Sequence, residues 1–117
     1  MKVRIKGNSV RYRLTRSEVA KLWAAGFLEE RTEFPDKILV YAIVTANDDK
    51  LSVDYIADKI VLSMPKSMID ELNNTDRVGF DDRTGPVSLL VEKDFVCIDK
   101  VEEDQSDNYP NPLLTCE

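Results

Sequence analysis

The same pattern of apolar residues occurs twice in this chain, about fifty residues apart, and this repeat limits the folds that the chain can adopt. Each copy begins with two alternating segments joined by a turn, continues into a short helix with one apolar face and ends with two more extended segments. The positions align without a gap through the first helix: Val10 with Ile60, Tyr12 with Leu62, Leu14 with Met64, Val19 with Ile69 and Leu22 with Leu72. We interpret the pattern as an internal duplication of a ββαββ unit; the alternative is that any two strand-to-helix junctions share this apolar spacing.

The repeat predicts one β-rich α+β domain over residues 1–98, with pseudo-repeats at residues 1–48 and 50–98. The length of 117 residues leaves no room for a second full domain. Each copy has one apolar sheet face to bury. The two faces are expected to pack together as a pseudo-twofold β-barrel or sandwich whose ends are plugged by the two short helices. Residues 99–117 lack a periodic apolar pattern and are expected to form an acidic C-terminal extension.

Local signals mark the helix boundaries in both copies. Thr15 and Glu18 have the spacing of a capping box, and Gly26 suits the left-handed residue that ends a helix. Pro65 is expected at the first helical position of the second copy, where its missing amide hydrogen has no helical partner to lose. Trp23 shares the apolar face of the first helix and is expected to anchor the core.

Positive charge is concentrated at the start of the chain. Residues 1–25 carry seven basic residues and one acidic residue, whereas the other residues include nine basic and twenty-one acidic ones. Alternation along two paired strands puts most of these cations on one face of the first hairpin. The candidate residues for binding an anion or a partner are Lys2, Arg4, Lys6, Arg11, Arg13 and Arg16. Such a face can bind phosphates or a carboxylate-rich partner; the alternative is a solvated face whose charge is offset by the acidic tail.

The acidic C-terminal segment is the expected counterpart of this basic hairpin. Asp104 and Asp107 are expected to form ion pairs with the hairpin, and Tyr109 is expected to hold the segment in place by burying apolar area. The acidic run around them lacks the ligand register of an EF-hand loop, so no metal site is predicted there.

The absence of histidine excludes most catalytic and metal-binding templates, because Ser-His-Asp and Cys-His arrangements and imidazole ligands all need that residue. Cys97 and Cys116 do not form a CxxC motif, and Cys97 is expected to act as a small buried apolar residue. The four glycines are scattered and do not form a phosphate-binding loop. The sequence therefore predicts neither an enzyme nor a bound cofactor.

The sequence also indicates a compartment. The residues that follow Met1 alternate between charged and aliphatic types, which is not the pattern of a secretory signal. No apolar run approaches the roughly 20 residues that a membrane span requires. A cytoplasmic location is expected, with no membrane as a partner.

Several segments resemble a known family. They are the N-terminal segment from Met1 to Val19, the segment Val91-Glu-Lys-Asp-Phe-Val-Cys97, and Glu103-Asp-Gln-Ser-Asp107 with Pro110-Asn-Pro112. Over nearly its whole length the chain resembles a family of small bacterial proteins of unknown function. That family has no assigned substrate or catalytic residue, so the resemblance implies no activity.

A second resemblance covers residues 59–80. A strand, a helix that begins at Pro65-Lys66, and an acidic turn at Asp76 before the next strand are similar to the swapped-hairpin barrel of AbrB-type transition-state regulators and MazE-type antitoxins. The resemblance implies a barrel of two ββαββ units with a basic face that binds DNA. Thr75 stands where a Gly often precedes the Asp, and Thr15 replaces Pro65 in the first copy, so the match is partial.

Together these observations favour a cytosolic, non-enzymatic module that binds an unidentified partner protein through the basic hairpin and the acidic tail. The alternative is an AbrB-like DNA-binding regulator or antitoxin-type protein. In that case nucleic acid is the partner of the hairpin cations.

Overall fold

A computed structural model describes residues 1–95. These residues form eight strands and two helices in the order ββαββ followed by ββαββ. The elements are β1 Lys2–Lys6, β2 Ser9–Leu14, α1 Arg16–Ala25, β3 Phe27–Glu33, β4 Ile38–Ala46, β5 Ser52–Ile56, β6 Lys59–Pro65, α2 Lys66–Asn74, β7 Gly79–Asp82 and β8 Ser88–Lys93. The predicted β-rich α+β class and the ββαββ pattern of each half are confirmed.

The strands form two four-stranded sheets, and each sheet takes one hairpin from each half. The first sheet has the order β1-β2-β8-β7 and the second has the order β3-β4-β6-β5. Neighbours within a hairpin are antiparallel, whereas the junctions β2 with β8 and β4 with β6 are parallel. The two halves therefore exchange hairpins, so neither sheet is made by one half alone.

The strand registers of the two halves correspond to each other. Lys2 is paired with Arg13 in the first hairpin, and Ser52 is paired with Ser63 in the hairpin β5–β6, which is the same register shifted by fifty residues. Positions in these two hairpins can therefore be compared one by one. The origin of this correspondence in a duplication stays a prediction.

The barrel form of the predicted architecture is wrong. A closed barrel gives every strand two neighbours, but β1, β7, β3 and β5 each have one neighbour among the described residues. The two sheets instead share one core, to which both helices contribute. Its fully buried side chains include Tyr12, Leu14, Leu22, Ile43, Leu62, Met64, Leu72 and Val91.

The helices also differ from the expectation that they plug the ends of the structure. They lie against each other, and Trp23 Nε1 of α1 donates a hydrogen bond of 2.9 Å to Asp70 Oδ1 of α2. Leu22 of α1 and Leu72 of α2 both belong to the shared core. Trp23 is therefore not a core anchor: its side chain is 45% exposed and lies beside this contact.

The helix boundaries follow the local signals closely. Thr15 and Glu18 form the capping box of α1, in which the Glu18 amide donates to the Thr15 hydroxyl and the Thr15 amide donates to the Glu18 carboxylate. Gly26 ends this helix in the left-handed conformation, with φ of 86°. Pro65 lies at the cap of α2, one residue before the position predicted for it, because β6 continues up to this residue.

Candidate anion-binding surface

Five of the six predicted cations lie on one face of the first sheet. In the hairpin β1–β2, Lys2 is paired with Arg13, Arg4 with Arg11, and Lys6 with Ser9. Paired residues point to the same side of a sheet, and the opposite side carries the fully buried Tyr12 and Leu14. The five cations therefore face away from the core. We call this surface the basic face: Lys2, Arg4, Lys6, Arg11 and Arg13.

Arg16 is not part of the basic face. It is the first residue of α1 and is exposed, but it follows the end of β2 rather than standing in the rows of the sheet. A hairpin register can align only residues of the two strands, so a cation on the adjoining helix is not brought into these rows.

The outer side of the first sheet continues from the basic face onto β8 and β7. Leu90 stands next to Arg11, Glu92 stands next to Arg13, and Asp81 stands next to Leu90. These three residues are not among the predicted candidates. Their position depends on the parallel pairing of β2 with β8, for which the local sequence pattern contains no signal.

Two carboxylates, one on β8 and one just after it, form ion pairs with cations of the basic face. Glu92 Oε1 lies 2.9 Å from Arg13 Nε and 3.6 Å from Arg11 Nε. Asp94 Oδ2 lies 3.2 Å from Lys2 Nζ. Lys2 and Arg13 form the row of the hairpin that lies farthest from its turn, and Glu92 also reaches Arg11 in the next row.

Two shallow depressions lie side by side at the turn end of the basic face. The smaller has a volume of about 200 Å³ and is lined by Arg4, Lys6, Ser9 and Arg11. The hydroxyl of Ser9 donates to the Lys6 carbonyl oxygen over 2.8 Å. The larger has a volume of about 410 Å³ and shares Ser9 and Arg11 with the smaller one.

The larger depression has a mixed lining. It extends from Ser9 and Arg11 to Leu90 and to Asp81, whose carboxylate lies 3.6 Å from Arg83 Nε. A ligand that covers both depressions would thus contact the hairpin cations at one end, Leu90 in the middle, and the ion pair of Asp81 and Arg83 at the other end.

The start of β1 is fixed by the N-terminal amine. The amine of Met1 donates hydrogen bonds to the carboxylates of Glu18 and Glu30, with 2.7 Å to Glu30 Oε2. Burial disfavours the charged amine, but the hydrogen bonds and charges of the two carboxylates outweigh burial and raise the pKa of the amine. Burial also opposes the charge of Glu18, but the amine and Thr15 outweigh it and lower the pKa of this carboxyl group.

A comparison with family models decides to which family the chain is related. Residues 1–113 match a model described as a family of unknown function (DUF7009). The chain belongs to this family. The resemblance to a family without an assigned function is confirmed, and the match includes both the basic hairpin and most of the acidic segment.

Neither a curated protein nor a solved structure matches the chain. The resemblance to AbrB-type regulators is not confirmed, and the two sheets do not close into the barrel that it implied.

The predicted tail contacts cannot be placed on this surface. Asp104, Asp107 and Tyr109 lie outside the described residues, as do Cys97 and Cys116. The contact between the tail and the basic hairpin stays a prediction.

Two further findings concern residues 1–95. No three His, Cys, Asp or Glu side chains in this range lie close enough together to hold a metal ion. Neither α1 nor α2 is long and apolar enough to cross a membrane.

Proposed function

We propose that this protein is a cytosolic, non-enzymatic interaction module whose basic face binds a carboxylate-rich segment of a partner protein. The observation that carries the proposal is the contrast between the two corresponding hairpins of the fold. They share one register, but only the first has a cationic outer face.

The second hairpin serves as an internal control for what the fold requires. The positions that correspond to the five cations of the basic face are occupied by Ser52, Asp54, Ile56, Val61 and Ser63, none of which is basic. Lys59, which corresponds to Ser9, is paired with Glu29 at 3.0 Å. Because the same hairpin forms without these cations, folding does not explain them. An anionic partner does.

The mixed charge around the basic face favours a protein partner. Duplex DNA carries about one negative charge per 1.7 Å of its length and would bring phosphates close to Glu92 and Asp81. A protein segment can place carboxylates over the cations and neutral or basic residues over these two acids. Complementary charge of this kind determines which partner is accepted and speeds the encounter with it.

The proposal is tested by titrating the full chain with a short polyglutamate peptide in about 0.05 M salt, where surface charges are weakly screened. We expect binding that weakens as salt rises. Replacement of Arg4 and Lys6 by Gln should lower the affinity about tenfold, since each lost charge contact contributes up to about 1 kcal/mol. A control is Lys21→Gln, which removes one charge from an exposed position on α1 and should have little effect.

Absence of binding by the unmodified chain, or an equal loss in the Lys21→Gln control, would contradict the proposal.

The same titration includes a 20-base-pair duplex DNA as a second probe. The two rows of cations on the basic face favour DNA as a second candidate, because a basic face can bind phosphates. Tighter binding to the duplex than to the peptide, with a steep fall as salt rises, would support this second candidate instead.

A further inference from the structure

We propose that the acidic segment of the partner binds in an extended conformation and adds to β1 as a fifth strand of the first sheet. This inference rests on the proposed function and deepens it, because it assigns the partner a conformation and a residue pattern. Addition of a strand to an exposed sheet edge is a recurring way in which proteins recognise peptides.

β1 has an open side to which a strand can bind. It lies at the edge of the first sheet, and among the described residues it pairs with β2 alone. Lys6 and Ser9 close a two-residue turn and form a hydrogen-bonded pair, so the backbone groups of Lys6 point toward β2. Because such pairs alternate along a hairpin, the backbone groups of Arg4 and Lys2 point toward β2 as well. The amide and carbonyl groups of Val3 and Ile5 consequently point to the open side.

The side chains of β1 define what kind of strand fits there. Lys2, Arg4 and Lys6 stand on the outer face, and Ile5 stands on the opposite face with 58% of its surface exposed. In an added strand, residues on the outer face would lie beside the cations, and the alternate residues would lie beside Ile5. A segment that alternates acidic and apolar residues satisfies both faces.

The other three sheet edges of the described residues do not offer this combination. They are β3, β5 and β7, and their acidic residues are Glu29, Glu30 and Glu33, then Asp54, then Asp81 and Asp82. Arg31 is the one basic residue of these three strands, so none of them presents a row of cations to an acidic strand. The cations of β1 in turn repel a second copy of β1, as edge lysines commonly do. β1 is therefore selective for an acidic partner strand.

The test uses the full chain and two ten-residue peptides of equal composition. One peptide alternates Glu and Val, and the other has five Glu residues followed by five Val residues. The alternating peptide should bind about tenfold more tightly, because only its pattern matches both faces of β1.

Two variants at one position separate strand addition from simple charge attraction. Ile5→Pro removes an amide that faces the open side, which an edge strand tolerates, and should abolish the preference for the alternating peptide. Ile5→Val keeps the amide and should retain the preference. As a measurement that needs no variant, amide hydrogen exchange of Val3 and Ile5 should slow when the alternating peptide is bound.

The outcomes distinguish this inference from the function on which it rests. Equal binding of both peptides, with no protection of the Val3 and Ile5 amides, would overturn strand addition and leave charge-driven binding intact. Failure of the unmodified chain to bind either peptide would remove the proposed function together with the inference.

Discussion

The hydroxyl of Tyr12 lies in the core, where the described residues bury no charged side chain. Its side chain is fully buried, and its hydroxyl has no hydrogen-bond partner among the described residues. Burial raises the pKa of this hydroxyl well above its ordinary range, so it stays neutral at physiological pH. An unsatisfied buried hydroxyl lowers stability by about 1–3 kcal/mol.

Replacement of Tyr12 by Phe should therefore stabilise the protein. Phe fills the same space without the hydroxyl, and we expect the free energy of unfolding to rise by about 1 kcal/mol. Denaturant unfolding measures the change. Tyr12→Leu is the control and should destabilise the protein, because it leaves a cavity. A lower stability of the Phe variant would show that the hydroxyl has a partner.

The N-terminal amine and Glu18 predict how stability depends on pH. The pKa of Glu18 is lowered in the folded state, so its contribution is present above its ordinary value of 4.5 and is lost as pH falls through the lowered pKa. The pKa of the amine is raised, so its contribution is present below its ordinary value of 8.0 and is lost as pH rises through the raised pKa. The ion pair between the amine and Glu18 therefore stabilises the fold most between pH 4.5 and pH 8.0.

Glu18→Gln tests this pH dependence, since Gln preserves the hydrogen bond of the capping box and removes only the charge. The difference in unfolding free energy between the unmodified chain and the variant should be largest near pH 6 and should shrink toward both extremes. A difference that stays constant with pH would show that the ion pair does not contribute. Glu30→Gln, at the more exposed partner, should show a smaller effect.

At the scale of elements, β8 brings a carboxylate of the protein itself onto the basic face. Glu92 contacts Arg11 and Arg13 in the way that a carboxylate of the partner would. Glu92→Gln should therefore increase the affinity for the alternating peptide about threefold, which corresponds to the modest strength of a surface ion pair. Glu29→Gln removes an equal charge from the second sheet and serves as the control. An equal gain in both variants would mean that net charge, not competition at this site, controls binding.

The elements themselves were largely predictable, because their signals are local. Thr15, Glu18 and Gly26 mark the ends of a helix by hydrogen bonds and backbone conformation within a few residues. The alternation from Lys2 to Leu14 determines which cations share a face. The partners of these elements were not predictable, because the pairing of Arg13 with Glu92 depends on a contact between distant segments. Trp23 shows the same limit. Its spacing in the sequence is that of a core residue, but in the fold its side chain lies against α2 and remains partly exposed.

At the scale of the whole molecule, negative charge is concentrated in the last part of the sequence. Residues 96–117 include six acidic residues and one lysine. If Asp104 and Asp107 contact the basic face as predicted, they compete with an acidic partner for the same cations. Replacement of both by Asn should then increase the affinity for the alternating peptide severalfold, and more so at low salt.

The control for the tail prediction is the double replacement of Asp48 and Asp49 by Asn, which changes the net charge equally in an exposed turn of the first half. An unchanged affinity in the tail variant, or an equal gain in the control, would contradict a contact between the tail and the hairpin.

The exchange of hairpins determines the order in which the fold can be completed during synthesis on the ribosome. β1 and β2 are made first, but the second neighbour of β2 is β8, the last strand of the described residues. Tyr12 and Leu14 therefore gain their full packing only when the second half has been translated, and such long-range pairing is slow. During this interval the five cations repel identical hairpins on neighbouring nascent chains.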